Sequence, residues 1–204
     1  MKKAIILFTV LSLVTFFGNT QSVENLDYVS TFNDGLAAIK KDNQWAFINT
    51  NGDIVVNFRN DLVTTKSEDG TYPIFKNDRC LIVREKDGIS YFGYIDTSGK
   101  ITVEPQFLNA SNYKNNVAIA INLVKEELGK NEVLGKNVVE YKYFEVVIDI
   151  NGNILKYLNP KGVVVVLDKK HPLTPPKITS KLISDKLCAV MTGDNQWTIE
   201  KINK

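Results

Sequence analysis

The stretch Ile48-Asn49-Thr50-Asn51-Gly52-Asp53-Ile54 decides the fold. Isoleucines flank a polar turn, and the Asn-Gly pair supplies the positive φ angles that a tight hairpin turn requires. The same pattern returns at residues 95–101 and 148–154, with offsets of 47 and then 53 residues. Three such turns in one frame predict a strand–turn–strand unit that is repeated along the chain.

A second pattern precedes each of these turns. It consists of an aromatic or apolar residue, a polar three-residue turn, and a short apolar strand whose second residue is small. Its copies begin at Phe32, Phe75, Tyr113 and Ile183, and the small position holds Ala37, Cys80, Ala118 and Cys188. Copies of the full unit lie near residues 28–60, 75–110 and 113–158, and a partial copy lies at 183–204. Because one repeat cannot bury its own apolar face, the copies predict a single β-repeat domain over residues 23–204.

Apolar and polar residues alternate with period two in the predicted strands. In the first copy, Trp45 and Phe47 share one face of a strand, and Ala46 and Ile48 share the other. We interpret the aromatic side chains as buried core with cross-strand partners, so Trp45 is predicted to be buried. A ligand-binding aromatic stripe is the alternative interpretation.

The repeated unit resembles the WG-containing repeat family of exported bacterial proteins. The first copy carries the family pattern at Phe32, Asp34, Gly35, Leu36, Ala37, Ile39, Trp45, Phe47, Ile48, Asn49 and Gly52, and the second at Gly93, Tyr94, Ile95, Asp96, Gly99, Lys100, Val103, Pro105 and Phe107. In the three copies, the Trp-Gly pair of the family is replaced by Trp45-Ala46, Phe92-Gly93 and Glu145-Val146. The resemblance implies repeats that serve binding or assembly, and it brings no catalytic residues.

These patterns predict an all-β fold in which tandem antiparallel β-hairpin or meander repeats stack into a curled or solenoid-like sheet. A small propeller-like arrangement is the alternative. The composition is that of a globular chain, since 44% of the 204 residues are hydrophobic and 24% are charged. The 25 basic and 23 acidic residues are too evenly balanced for a nucleic-acid-binding surface.

The first 22 residues have the pattern of a signal peptide. Lys2 and Lys3 precede an apolar stretch at residues 4–17. As a helix it would reach about 21 Å, short of the roughly 30 Å of a bilayer core. Small residues follow, and cleavage is expected near residues 20–22; a retained N-terminal helix is the alternative. We therefore expect an exported protein, periplasmic, surface-located or secreted, with no membrane span after cleavage.

Two stretches depart from the repeat. Residues 122–140 separate a strand expected to end near Ile121 from one expected to resume near Tyr143, and two glycines within the insertion disfavour a helix. We predict a projecting, extended hairpin, which in a compact fold is either functional or mobile. Further along, the five apolar residues 163–167 predict a buried strand, and a proline-rich loop follows.

Residues that could carry chemistry are few. His171 is the only histidine and lies in a Lys-Lys-His-Pro loop without a predicted partner, so we assign it no catalytic role. Asp96 and Asp149 match Asn49 in the repeat and are expected to accept backbone hydrogen bonds in the turns. The sequence predicts no catalytic, cofactor-binding or metal-binding residues.

Cys80 and Cys188 are predicted to be free and buried, because they occupy the small core position of their repeats. A disulfide is the alternative in an exported chain. Two repeats of about three strands, spaced by about 4.8 Å, would separate the cysteines by about 29 Å. A disulfide tolerates only about 7 Å between Cα atoms.

The sequence thus predicts an exported, non-catalytic β-repeat protein that acts as a binding or assembly module in the cell envelope or outside the cell. Its expected partner is an unidentified protein or envelope component, not a nucleic acid, and the insertion at 122–140 is the predicted recognition element. An envelope hydrolase that uses carboxylates and a purely structural spacer are the alternatives.

Overall fold

The computed structural model describes residues 23–132, 135–167 and 174–202. Within these ranges the chain forms strands, turns and loops, and no segment makes an apolar helix long enough to cross a bilayer. The strands are β1 (Tyr28–Asn33), β2 (Leu36–Lys41), β3 (Gln44–Ile48), β4 (Ile54–Arg59), β5 (Thr65–Lys66), β6 (Thr71–Tyr72), β7 (Cys80–Lys86), β8 (Ile89–Ile95), β9 (Ile101–Phe107), β10 (Asn109–Ala110), β11 (Val117–Asn131), β12 (Lys136–Asp149), β13 (Ile154–Tyr157), β14 (Val163–Val165), β15 (Lys181–Leu182), β16 (Leu187–Met191) and β17 (Trp197–Lys201).

The strands form four successive antiparallel sheets, one for each copy of the repeat. The first sheet contains β1–β4, the second β7–β9, the third β10–β14 and the fourth β15–β17. Strands follow one another in sequence order within each sheet, except that β13 and β14 both pair with β12. A two-stranded hairpin, β5–β6, lies between the first and second sheets in sequence. The predicted all-β meander repeats are therefore confirmed.

Consecutive sheets pack face to face. We call the face of a sheet that packs on the next sheet its forward face, and the opposite one its backward face. The first interface joins Leu36, Ala38, Phe47 and Val56 to Cys80, Ile82 and Ile95. The second joins Leu81, Tyr94, Val103 and Phe107 to Ala118, Ala120, Val146 and Ile148. The third joins Val117, Ile119 and Val147 to Cys188 and Ile202. In the first two interfaces, an aromatic side chain on the forward face, Phe47 or Tyr94, thus meets smaller residues on the next backward face.

Two equivalent aromatic pairs connect neighbouring copies of the repeat. Phe75, from the second copy, packs edge-on against Phe47 of the first, with ring centroids 4.6 Å apart. Tyr113, from the third copy, packs against Tyr94 of the second at the same distance. The leading aromatics of the second and third copies therefore belong to the core of the preceding sheet, so neighbouring copies share these cores.

Face-to-face stacking changes the predicted separation of the cysteines. The estimate of about 29 Å assumed strands laid edge to edge, whereas Cys80 and Cys188 lie two stacked sheets apart. At about 10 Å per layer the separation is roughly 20 Å. Both thiols are free and fully buried, as predicted.

Three further predictions about packing are wrong. Trp45 is only partly buried, because its side chain lies at the edge of the first interface. The strands around the insertion do not stop near Ile121 and Tyr143. Both continue outward from the stack and pair with each other along one ladder. The apolar residues 163–167 form a mostly exposed edge strand and its continuation, because nothing described covers that side of the hairpin.

Candidate functional site

The carboxylates of the repeat turns are engaged in backbone hydrogen bonds. Asp96 Oδ1 accepts bonds from the backbone N–H groups of Ser98 (2.9 Å) and Lys100 (3.1 Å). Asp149 accepts the equivalent bonds from residues 151 and 153. Partial burial raises the pKa of both carboxyl groups, but the hydrogen bonds outweigh it and hold the pKa below its ordinary value. The predicted role of these residues in the turns is confirmed.

Glu145 occupies the position of the family tryptophan in the third copy and is a buried carboxylate. Its Oε1 accepts hydrogen bonds from the backbone N–H groups of Thr179 (3.0 Å) and Ser180 (2.8 Å), and its Oε2 accepts one from the Thr179 hydroxyl (2.9 Å). The strand that carries Glu145 therefore fixes the segment that leads into the fourth sheet. The sequence indicated only that Glu145 departs from the family pattern, because its partners lie 34 and 35 residues away.

The tryptophan positions do not line up into one continuous aromatic stripe. Trp45 lies under the ammonium of Lys40, whose Nζ is 5.6 Å from the ring centroid. Trp197 lies under Lys181 at 4.8 Å. The third copy interrupts the series with its buried glutamate, so the aromatic positions do not form one binding surface.

The main irregular element is a long hairpin formed by β11 and β12. Its ladder runs without interruption from the pair Val117–Asp149 to the pair Asn131–Lys136, except for a bulge between Glu127 and Gly129. The predicted extended hairpin is confirmed. β14 pairs with β12 at residues 141–143 and adds a third strand to the base of the hairpin.

Exposed apolar side chains are concentrated on this element. Val166 is 82% exposed, Leu128 60% and Val164 59%. We define the hairpin surface as the set of exposed apolar residues on β11, β12 and the β14 segment: Leu128, Val138, Val139, Val163, Val164 and Val166. The hairpin surface combines an apolar tip with an edge strand that contains three consecutive valines.

One lysine on the hairpin pairs with two glutamates. Lys142 Nζ lies 2.8 Å from Glu126 Oε2 and 2.7 Å from Glu140 Oε2. The hydrogen bond to Glu126 and then that to Glu140 raise the pKa of Lys142 above its ordinary value. The pair with Glu126 connects β12 to β11, and the pair with Glu140 lies along β12 itself.

A cavity of about 500 Å³ lies where the hairpin joins the stack. Its apolar wall is formed by Ile89, Tyr91, Pro105, Leu123, Tyr141 and Leu167, and Lys86, Asp87 and Gln106 supply polar groups. Burial raises the pKa of Tyr91 above its ordinary value of 10, so its phenol, already protonated at neutral pH, keeps its proton to higher pH. The cavity therefore offers an apolar site with a phenol donor beside the hairpin surface.

A second cavity, of about 570 Å³, lies among the turns that open the repeats and is lined mostly by polar side chains. These turns are joined from copy to copy. Asp34 Oδ2 accepts a bond from the backbone N–H of Asn77, and Asn77 Oδ1 accepts one from that of Asn116. The polar groups at this cavity thus serve partly to hold consecutive repeats together.

Within residues 23–132, 135–167 and 174–202, no group of three His, Cys, Asp or Glu residues is placed to hold a metal ion. His171 and the predicted signal peptide at residues 1–22 lie outside the described residues. The structure therefore tests the predictions for the turns, the core and the insertion. It does not test those for His171 and the signal peptide.

Two segments of the chain match the family model of the WG containing repeat, at residues 25–45 and 92–121. Both segments are thus similar to the WG containing repeat. The first match covers β1, β2 and the start of β3, and the second runs from β8 into β11. The second WG-repeat match ends at Ile121, where the long hairpin leaves the stack, so the hairpin surface lies outside both matched segments. A search of curated proteins and of solved structures finds no match to the chain.

Proposed function

We propose that this WG-repeat protein is an exported, non-catalytic module that binds or assembles with a protein partner in the cell envelope or outside the cell. The observation that carries the proposal is the hairpin surface. It groups six exposed apolar side chains on one projecting element that extends beyond the interfaces between the sheets.

The chemistry of the hairpin surface suits a protein partner. Isolated exposed apolar residues are ordinary, but a group of them on one projecting element is typical of an interaction site. β14 pairs with β12 on one side, and the other side of this edge strand has no described partner. An extended segment of a partner can add to such an edge through backbone hydrogen bonds, with the valines contacting its side chains.

The carboxylates support a non-catalytic role. Asp96 and Asp149 hold turns, and Glu145 holds the segment before the fourth sheet through three hydrogen bonds. A general base needs a free, oriented carboxylate in a concave site. The carboxylates that the repeats supply are used to define backbone geometry.

Shortening the hairpin tests the proposal. In the variant, residues 126–140 are replaced by Asn-Gly, which joins Lys125 to Tyr141, a pair that faces across the ladder. The stack should remain folded because the removed residues lie beyond the interfaces between sheets. We expect an unchanged melting temperature, within about 3 °C, and loss of the proteins captured from envelope extract by the full-length chain.

Val29→Lys provides the matched control, because Val29 is also an exposed valine on an edge strand but lies on the first sheet. This variant should capture the same proteins as the wild type. If the shortened variant stays folded and captures them equally well, the tip of the hairpin is not the binding site, and the edge strand with Val163, Val164 and Val166, which this variant keeps, is the part of the hairpin surface left to bind.

A further inference from the structure

The second cavity, of about 570 Å³, lies where turns from three copies of the repeat meet, and we call it the turn cavity. Each copy contributes two neighbouring residues to it: Asn33 and Asp34, Lys76 and Asn77, and Lys114 and Asn115. The segment of β5 forms a further wall, and Asn112 holds it there by donating a hydrogen bond from Nδ2 to the Thr65 hydroxyl (2.9 Å). The turn cavity is therefore formed by consecutive copies together and not by one repeat.

Two lysines occupy equivalent positions in successive turns. In each turn, the backbone N–H and C=O groups of Lys76 or Lys114 pair with the residue three positions further on. The two central residues of both turns have positive φ angles, between 51° and 63°, which Asn and Asp tolerate well. A hydrogen bond from the Asn116 N–H to Asn77 Oδ1 (3.1 Å) joins the turns. The lysines thus lie on neighbouring layers, which are about 10 Å apart in packed sheets.

The turn cavity carries a surplus of positive charge. Lys66, Lys76 and Lys114 line it together with a single carboxylate, that of Asp34. Oδ2 of this carboxylate accepts a hydrogen bond from the Asn77 backbone N–H (2.8 Å). Among the described residues, no carboxylate forms an ion pair with any of the three ammonium groups. The cavity therefore attracts anions.

Side-chain amides supply groups that suit a ligand rich in hydroxyls. An amide has donors and an acceptor, and a sugar hydroxyl likewise donates and accepts. The exposed amide of Asn115 has no partner in the described part of the chain, and Asn112 uses only Nδ2. Ile74 and Tyr113 add an apolar part to the lining, which can contact the C–H groups of a sugar ring.

We propose that the turn cavity binds a saccharide that carries acidic groups, either carboxylates or phosphates. The lysines bind the acidic groups, and the amides of Asn112 and Asn115 bind the hydroxyls. The volume falls within the range of about 300–1,000 Å³ that is typical of small-ligand sites. The site is separate from the hairpin surface and does not rest on its function.

An acidic peptide fits the turn cavity less well than a saccharide. An extended peptide binds by pairing its backbone with a free strand edge. At Lys76 and Lys114, the backbone N–H and C=O groups are already paired within their own turns. Recognition in the cavity therefore depends on side chains, which favours a ligand whose own polar groups project from a ring.

Calorimetric titration of the full chain at low ionic strength tests the proposal with matched probes. Trigalacturonate represents saccharides with carboxylates, and phosphorylated maltotriose represents those with phosphates. Methyl-esterified trigalacturonate and maltotriose are their uncharged counterparts, and acetylated triglutamate amide carries as many carboxylates as trigalacturonate on a peptide. We expect at least one acidic saccharide to bind, with an affinity that falls as salt is raised to about 150 mM. The uncharged and peptide probes should bind at least about fivefold more weakly.

The double variant Lys76→Gln/Lys114→Gln removes two charges from the turn cavity and should weaken binding of the acidic saccharide at least about fivefold. Replacement of both lysines by arginine keeps the charges and should restore most of the affinity. Lys125→Gln is the matched control, because Lys125 is an exposed lysine of the hairpin without an ion pair among the described residues. Unfolding curves verify that all variants remain folded.

Failure of both acidic saccharides to bind overturns the proposal, and so does equally tight binding of their uncharged counterparts. A triglutamate probe that binds as tightly as trigalacturonate would assign the cavity to an acidic peptide instead. A folded double variant with wild-type affinity would place the anion site elsewhere. None of these results bears on the hairpin surface, whose test reads protein capture, and the shortened-hairpin variant should bind the saccharide like the wild type.

Discussion

Gly93 lies where two neighbouring strands approach most closely. Phe92 pairs with Phe107 and Tyr94 with Val103, so β9 advances by four residues where β8 advances by two. The extra residues form a bulge that contains Pro105 and lies directly over Gly93. A Cβ at residue 93 would lie 2.4 Å from the Val103 carbonyl oxygen and 2.6 Å from the Pro105 nitrogen. Residue 93 is thus a glycine because the bulge of β9 comes too close for a side chain.

We expect Gly93→Ala to lower the free energy of unfolding by about 3 kcal/mol, since the backbone atoms above it must move. Urea unfolding at constant pH measures the change. Gly193→Ala is the matched control, because a Cβ there meets nothing within 4 Å, and it should change stability by less than about 0.5 kcal/mol. Equal effects of the two substitutions would contradict this account of the bulge.

The buried thiols predict a loss of stability at alkaline pH. Burial raises the pKa of Cys188 from 9.0 to about 11 and raises that of Cys80 further. A raised pKa means that the folded state favours the protonated thiol. The associated stability is fully present below pH 9 and is lost as the pH rises towards 11.

Denaturant unfolding between pH 8 and pH 11 measures this dependence. Part of the decrease should disappear in Cys188→Ala, which lacks one of the titrating groups and keeps a small residue at the position. Both native thiols should also resist a thiol reagent at pH 8 and react fully after denaturation. A native chain that reacts rapidly at both cysteines would show that these positions are accessible.

At the scale of single elements, Glu145 determines how the fourth sheet is attached. Removal of its carboxylate leaves the N–H group of the buried Ser180, and that of the more exposed Thr179, without their acceptor. We expect Glu145→Ala to destabilise the protein by about 2–3 kcal/mol. Hydrogen exchange in β15–β17 should accelerate more than exchange in the first sheet. Glu126→Ala, on the exposed hairpin, is the control and should leave both unchanged; uniform acceleration in all sheets would contradict a local role.

Elements that are determined by residues close together in the sequence could be predicted from it. The Asn-Gly turns and the period-two alternation placed the hairpins of the first three copies, and the small position correctly placed Ala37, Cys80, Ala118 and Cys188 in the core. The run at 163–167 was misread as buried because an apolar run looks the same in a core strand and in an exposed edge strand. Which one it becomes depends on pairing with residues 141–143, and the run itself contains no information about that pairing.

At the scale of the whole molecule, the sequence left the choice between a stack and a closed ring open. The exposed forward face of the fourth sheet, where Ile199 is 57% exposed, shows that the four described sheets form an open stack, since ring closure would have covered it with the first sheet. Periodicity could not reveal this, because the fourth copy follows the same pattern as copies whose forward faces are covered. Trp45 was misjudged for a related reason, since its strand is central but its side chain lies at the margin of the interface.

Export is a prediction that belongs to the whole chain. We expect protein recovered from the envelope or the medium to begin near residues 20–22, because a short apolar stretch followed by small residues is a substrate for signal cleavage. Intact-mass measurement of the native protein decides the matter. A native species that retains Met1 and occurs only in the cytosol would contradict export and, with it, the proposed location of the partner.

The bulge in the long hairpin affects how this protein can change in length. Both faces of the third sheet are buried as far as the pair Ile121–Glu145, so one additional residue there would turn every following side chain towards the wrong core. The bulge between Glu127 and Gly129 lies farther out, where the described side chains on both faces are not buried. One additional residue there moves each following side chain to the opposite face of the sheet, but it takes no buried side chain out of a core. Beyond this point, insertions of any length, including an engineered peptide or reporter, are therefore compatible with the fold. Before it, only insertions of an even number of residues are compatible.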